Sequence, residues 1–341
     1  MATPPSLRDI AERTGVTIMS VSRALRGSPQ VSAKKRAEIL RVAHELGYRP
    51  DPQVSRLMSL MRTSKAHRAD TVLAVINTRA ERGFHLREPH LRAFYTSAAE
   101  RADTLGYKLE EFWLADPEIP ARRQQSILIA RGIEGLLLLP FDQVQVKLSL
   151  DLSRFAVTAI GRSHASVPCD RATPNHFAAI KLALEHLTER GFTRLGLALF
   201  DGTNDRTGRR YTSAFYDYYH RQEPAHRVPP FESLHWDPAG FRTWFDQHRP
   251  QVVLTHGEHI RGFAAKDLGL LAPRDYGYVN LNRIMETDTS SGVDQNYGLV
   301  GAAAIDLLAG QLNHQDRGLP AFPRSVTING IWRDGNSLPS H

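Results

Sequence analysis

The chain has a single cysteine, Cys169, in 341 residues. One cysteine excludes an internal disulfide framework and fits a reducing compartment, and the thiol reads as a space-filling group rather than a nucleophile. No apolar run approaches the ~18–20 residues that span a bilayer. The opening MATPPSLRDI is charged and lacks the apolar stretch of a secretory signal, so a cytoplasmic location with no membrane contact is expected. Enzyme signatures are also missing: there is no Gly-x-Gly-x-x-Gly after a strand, no Walker loop, no nucleophile elbow and no His-Glu-x-x-His. No catalytic residues and no cofactor are expected. With 41% hydrophobic residues, the chain can still bury the cores of two or three domains.

Charge is what the chain has in one place. Residues 1–70 hold thirteen Lys/Arg against six Asp/Glu, and the rest of the chain holds thirty of each sign, so the whole net charge of +7 lies in the first fifth. A basic head on a balanced body suggests a polyanion-binding module joined to a part that need not bind polyanions. A merely solvated basic face is the alternative.

Within the head, Ser6 can cap a helix with Leu7, Ile10 and Ala11 on its inner face, Gly15 breaks it, and Thr17 can cap a second helix with Val21, Ala24 and Leu25 inward. Leu7–Arg13 and Ile18–Leu25 thus form a helix-turn-helix in length and pattern. Ser32 caps a longer third helix to Leu46, whose inner face reads as Ala37, Leu40, Val42, Ala43 and Leu46, with Gly47 after its end. Such a hairpin can be purely structural. Here the second helix also offers Ile18, Met19, Ser20, Ser22, Arg23 and Arg26 outward, and Lys34, Lys35 and Arg36 open the third. Hydroxyls and cations around a compact helical core suit phosphate contacts, which position a helix without reading sequence. Thr17, Ser20, Ser22, Arg26, Lys34 and Arg36 are the candidates.

Residues 6–51 resemble the DNA-binding domain of the lactose-repressor (LacI/GalR) family. Leu7, Asp9–Ala11, Gly15–Thr17, Ser20–Arg23, Val31–Ser32, Arg36 and Leu46–Pro50 follow the family pattern in order and without gaps. The resemblance implies that Ile18, Met19 and Arg23 face the major groove. Arg23 can donate a bidentate pair to guanine O6 and N7, and Ile18 and Met19 can pack on a thymine methyl. It also implies a hinge segment after Pro50 that wedges Leu57 into the minor groove. The other reading of that segment is an amphipathic helix packing on its partner copy. The linker continues as MRTSKAHRAD, either an extended hinge helix or a tether, whose Arg62, Lys65 and Arg68 would add phosphate contacts.

From residue 71 onward, short apolar runs (TVLAVIN, YKLEEFW, GLLLLP, FAVTAIG, LGLALF, VVLTH, YGYVNL) alternate with helical patterns. This βαβ alternation predicts two doubly wound parallel sheets, with ligand at the carboxyl ends of their strands. The division falls near 161–173, a stretch that reads as loop, and the order of elements resembles the family's periplasmic-binding-protein-like sensor body. The expected domains are therefore an all-α helix-turn-helix head (1–50), a hinge and linker (51–70) and an α/β body (71–335) whose chain crosses back near 283–295.

The resemblance implies an effector clamp three residues before Ala214-Phe215, where this chain has Tyr211 with Arg210 beside it; Asn282 stands for the family's sugar-binding aspartate. Glu258, within HGEH (256–259), and Gln295 complete the candidate set. HGEH lacks a nearby Cys or Asp to complete a metal site, so a cleft-lining role is expected and a metal is not. The tail after Trp332 has no leucine heptads to suggest a tetramer. The expected function is a homodimeric transcriptional repressor that binds an inverted-repeat operator on double-stranded DNA and responds to a small, sugar-like effector. The alternatives are an activator or a ligand-independent DNA binder, then an enzyme or binding protein carrying a DNA-binding head.

Overall fold

The computed structural model describes residues 5–25, 31–48, 71–140, 148–162, 167–284 and 288–339. Arg26, Leu57, Arg62, Lys65 and Arg68 lie outside the described residues.

The head is built from α1 (Leu7–Thr14), α2 (Ile18–Leu25) and α3 (Ala33–Glu45). Ser6 and Asp9 form a reciprocal cap at α1, with the Ser6 amide donating to Asp9 Oδ2 at 2.7 Å and the Asp9 amide donating to Ser6 Oγ at 3.4 Å. Gly15 takes the left-handed conformation that reverses the chain, at φ 65°. Thr17 Oγ1 accepts the Ser20 amide at 3.2 Å and starts α2. Ile10, Ala11, Val21, Ala24, Ile39, Val42 and Ala43 form the buried centre. This corrects the predicted inner face of α3: Ile39 is buried, whereas Leu40 and Ala37 are exposed. The helical row 39, 42, 43, 46 satisfies the i, i+3, i+4, i+7 rule better than the one chosen from the sequence.

In the body the strands are β1 (Thr71–Asn77), β2 (Tyr107–Trp113), β3 (Gly135–Leu138), β4 (Ala156–Ile160), β5 (Asp170–Pro174), β6 (Leu195–Phe200), β7 (Phe231–Ser233), β8 (Val252–Thr255), β9 (Gly277–Arg283), β10 (Ser291–Asp294), β11 (Ser325–Ile328) and β12 (Ile331–Arg333). The helices are α4 (Phe84–Arg87), α5 (Pro89–Thr104), α6 (Ala121–Ala130), α7 (His176–Glu189), α8 (Asp201–Arg206), α9 (Arg210–Arg221), α10 (Pro238–His248), α11 (His259–Leu268) and α12 (Tyr297–His314). Two sheets result, ordered β11-β5-β4-β3-β1-β2 and β12-β10-β9-β8-β6-β7. Pairing is parallel except where β12 runs antiparallel to β10. Each sheet carries the doubly wound order in which the first strand lies between the second and third, and ligands bind at that reversal.

Alternation along β1 shows the layering. Leu73 and Val75 face α5 and α12, while Ala74 and Ile76 face the opposite layer with Leu128 of α6. The second sheet is sandwiched between α7 and α9 on one face and α10 and α11 on the other. The predicted loop at 161–173 is corrected in part, because β5 begins at Asp170 and is fully buried. The chain then passes to the second subdomain at Asn175, returns at Asn296 after β10, and leaves again at Asn329 between β11 and β12. These three asparagines, one per crossing, are tied together. Asn175 Nδ2 donates to Asn329 Oδ1 at 2.9 Å, and Asn296 Nδ2 donates to the Asn329 carbonyl at 2.8 Å.

Candidate functional site

Two places collect the chemistry. On the head, Ile18 and Met19 are 47% and 59% exposed at the first turn of α2. Their neighbours along the chain, Val21 and Ala24, are buried, so the helix has a fixed inward side and these two large apolar groups point away from it. Arg23 lies four residues after Met19, which places both on one helix face. Thr17 Oγ1 and Ser20 Oγ bond each other at 3.0 Å beside this face. Lys34 is exposed at the start of α3 and has no acidic partner among the described residues. Arg36 is half-buried and directs Nη2 to the Val31 carbonyl at 3.4 Å, and Ser22 is also half-buried. Lys35 has a bracing role: its ammonium donates to the Thr14 carbonyl at 2.8 Å, pinning α3 to the end of α1.

The second place is a cavity of about 700 Å³ between the two subdomains. It opens at the carboxyl ends of the strands, as the strand order requires. Pro140 after β3, Gly161 and Arg162 after β4, and Glu88, His90 and Phe94 at the start of α5 supply one wall. Phe200, Arg206, the segment His256–His259, Arg261, Asn280, Asn282 and Asp288 supply the other. Tyr297 of α12 donates its hydroxyl to Asn282 Oδ1, a bond between the halves at the cavity lining. Asn280 organises its own wall, its Oδ1 accepting the Gly257 and Asn282 amides at 2.9 and 2.8 Å while its Nδ2 donates to Asp288 at 2.8 Å.

Of the five candidate effector residues, Glu258 and Asn282 line the cavity, whereas Arg210, Tyr211 and Gln295 do not. Tyr211 and Gln295 are wholly buried beneath it. The Tyr211 hydroxyl donates to the Leu281 carbonyl at 3.3 Å and accepts from Gln295 Nε2 at 3.0 Å, so both side chains already have partners. An aromatic ring at 211 fits the apolar core between α9 and the sheet, where Phe215 and Val279 also sit. Glu258 pairs with Arg261 at 3.0 Å.

The sequence reading missed Arg162, His176 and Arg206 in the lining. No motif marks them; the one local signal is that Arg162 follows Gly161 at a strand end. His176 is 8% exposed, and burial first, then Arg210 and Arg162, push its basicity down to about 3. Its ring is therefore neutral at physiological pH. The half-buried His256 is likewise held below its ordinary value by burial and by its neighbours His176, Arg206 and His90. Both rings pack near Tyr211, with centroids at 4.9 and 5.8 Å. The arrangement can bind a polar small molecule between two walls. Cys169 is buried in the first subdomain and its thiol is pushed up to about 11.

Comparison with known proteins agrees with this geometry. Residues 6–51 match the model of the bacterial regulatory proteins of the lacI family. The HTH-type transcriptional regulator AglR of Rhizobium meliloti is 39% identical over 72 residues, which is 21% of this chain and only 19% of that relative. The NTD biosynthesis operon regulator NtdR of Bacillus subtilis is 21% identical over 290 residues, 82% of each chain. Among solved structures, the lac repressor dimer bound to operator and the anti-inducer ONPF superposes with a TM-score of 0.57 at 17% identity, covering 99% of this chain and 100% of that one. At that identity the likeness is one of fold, and it spans head and body together. No helix among the described residues is long and apolar enough to cross a membrane. Residues 6–51 thus match the bacterial regulatory proteins of the lacI family, and they stand on a two-sheet body that shares the fold of the lac repressor.

Proposed function

We propose that this protein is a cytoplasmic, homodimeric repressor that grips an inverted-repeat operator through two copies of α2 and is switched by a small, sugar-like ligand in the interdomain cavity. One observation carries the reading: a capped helix with exposed Ile18 and Met19 and a half-buried Arg23 on the same face shares a chain with a cavity walled by two subdomains. Ile18 and Met19 pack on thymine methyls, and Arg23 reads a guanine beside them. Thr17, Ser20, Ser22, Arg26, Lys34 and Arg36 hold phosphates, and Leu57 wedges the central step. The solved relative is itself a dimer on operator with a small ligand, which supports carrying these roles over. In the cavity Glu258 and Asn282 offer hydrogen bonds to ligand hydroxyls, and Arg210, Tyr211 and Gln295 act from behind the wall by fixing its shape. The ligand alters operator affinity only so far as it binds the two arrangements of the halves unequally.

Selection of bound DNA from a random pool tests the head. The expected product is an inverted repeat whose half-sites carry thymine next to guanine, and enrichment of an asymmetric site would overturn the dimeric operator model. Gel shifts on that site with neutral and acidic sugars test the switch. An affinity indifferent to all of them would leave a ligand-blind DNA binder, and transcription raised rather than lowered by the bound protein would make it an activator.

A further inference from the structure

The charges along the cavity are not evenly mixed. Arg162 extends from the first subdomain across the cleft, and a Cβ placed on Gly208 of the second would lie 3.1 Å from its Nε. The charged groups that act on Arg162 are Arg210 and Arg171, both cations. No carboxylate pairs with Arg162 among the described residues. Of the three acids on the lining, Glu88, Glu258 and Asp288, the last two are engaged elsewhere. Glu258 holds Arg261, and Asp288 accepts from Asn280 Nδ2 and from the Ser290 amide and hydroxyl. Beside Arg162 is His176, more than nine-tenths buried, lining the cavity, with a buried Nδ1 that has no partner among the described residues. Arg206 contributes a second guanidinium from the opposite subdomain.

A half-buried guanidinium facing other cations is costly unless an anion completes it. A planar fork is suited to a carboxylate or a phosphate, which it holds by paired hydrogen bonds. Resting on the reading of the cavity as an effector site, we infer that the effector is an anionic sugar derivative whose carboxylate or phosphate seats on the wall formed by Arg162, Arg206 and His176. Because Arg162 and Arg206 belong to different subdomains, the same group draws the halves together, which gives it the unequal affinity for two arrangements that a switch needs. Neutral sugars lack the group that offsets the repulsion on this wall.

Thermal denaturation of the full chain in gluconate, glucose 6-phosphate, inorganic phosphate and neutral glucose tests the inference at matched ionic strength. A ligand at a hundredfold excess over its Kd is expected to raise the melting temperature by about 5 °C. At least one anion should do so while glucose does not, and comparing gluconate with the two phosphates separates a carboxylate from a phosphate effector. Arg162→Met should abolish the shift, and Arg162→Lys should keep part of it, since a point cation remains without the fork. The basic head is the same in all three proteins, so a shift that survives in Arg162→Met comes from elsewhere and overturns the assignment. Anions that leave the melting temperature unchanged also overturn it. A response to glucose in that case would preserve the effector reading and reject only the anionic class, whereas silence with every probe would reject both. A folded circular dichroism spectrum of each variant keeps loss of binding distinct from loss of structure.

Discussion

Replacing Gly301 by alanine tests how the first subdomain is held together. In α12 a Cβ at this position would lie 2.3 Å from the Phe94 carbonyl oxygen, 3.1 Å from its carbon and 3.2 Å from the Ala98 nitrogen of α5. All three are backbone atoms that cannot rotate aside, so the helices must separate by about 1 Å to restore ordinary contact distances. Alanine gains about 1 kcal/mol over glycine in helix propensity. Against this, overpacking costs ~1–3 kcal/mol and rigid neighbours place it at the upper end, leaving a net loss of about 2 kcal/mol. For a body of this size that lowers the melting temperature by about 4 °C. Gly310, in the same helix, has nothing within 4 Å of a new Cβ. Gly310→Ala should therefore stabilise the protein by about 0.5–1 kcal/mol. Circular dichroism melts of the two variants measure both signs at once. A Gly301→Ala protein that melts at or above the parent would refute the close approach of α5 and α12, and with it the placement of Phe94 and Tyr297 against the cavity.

The remaining predictions concern the head, a buried carboxylate and the lone thiol. Arg23→Ala should cost about 1–3 kcal/mol at one base pair per half-site; equal weakening on every sequence in a binding titration would make Arg23 a phosphate contact instead. Asp170 is fully buried, and although burial opposes its charge, the Arg324 guanidinium at 2.9 Å and amide at 2.7 Å with Gln311 at 3.1 Å hold its carboxyl below the usual range. A carboxyl depressed on folding stabilises above its unfolded pKa of about 3.9 and loses that contribution as pH falls through the folded value. Asp170→Asn should accordingly cost about 2 kcal/mol at neutral pH, with the gap to the parent closing below about pH 4; a constant gap in urea titrations down to pH 3 would contradict this. Cys169, with its thiol raised to about 11, should resist iodoacetamide at pH 8 until the protein unfolds, and rapid labelling of the folded protein by mass spectrometry would place it elsewhere.

What could be read from the residues was what repeats with a period. The head's helices follow from capping serines and threonines, a turn glycine and a regular apolar spacing. The apolar strands of both sheets follow from their runs. β5 could not be found this way, because DRATP contains two charged residues and still lies buried throughout. Its acid is matched by residues far along the chain, Arg324 and Gln311, while Arg171 turns back on the nearby Val167 and Cys169 carbonyls at 3.2 and 3.4 Å. Long-range pairing of this kind leaves no local pattern. The cavity shows the same limit. Alignment to a family pattern placed Tyr211 and Gln295 at the ligand, but the Tyr211 hydroxyl and Gln295 Nε2 are used by the Leu281 carbonyl and by each other. Arg162 carries no motif, and its interest arises only when the second subdomain is folded opposite it.

The joint between the halves sets how much a ligand must do. Three crossings, at Asn175, Asn296 and Asn329, are joined to one another by side-chain bonds and lie close together between the halves. A tenfold change in operator affinity corresponds to about 1.4 kcal/mol of coupling between the two sites. A single hydrogen bond to a charged group contributes about 1.5–3 kcal/mol. One bond from Arg162 that forms only when the cleft is closed is therefore enough to account for such a switch. The tight packing of α12 on α5 has a matching consequence, because the return crossing at Asn296 runs directly into α12 and through it into the core of the first subdomain. The crossing is thereby anchored in the same core as β1, the first strand of the subdomain and the one that follows residues 1–70 in the chain.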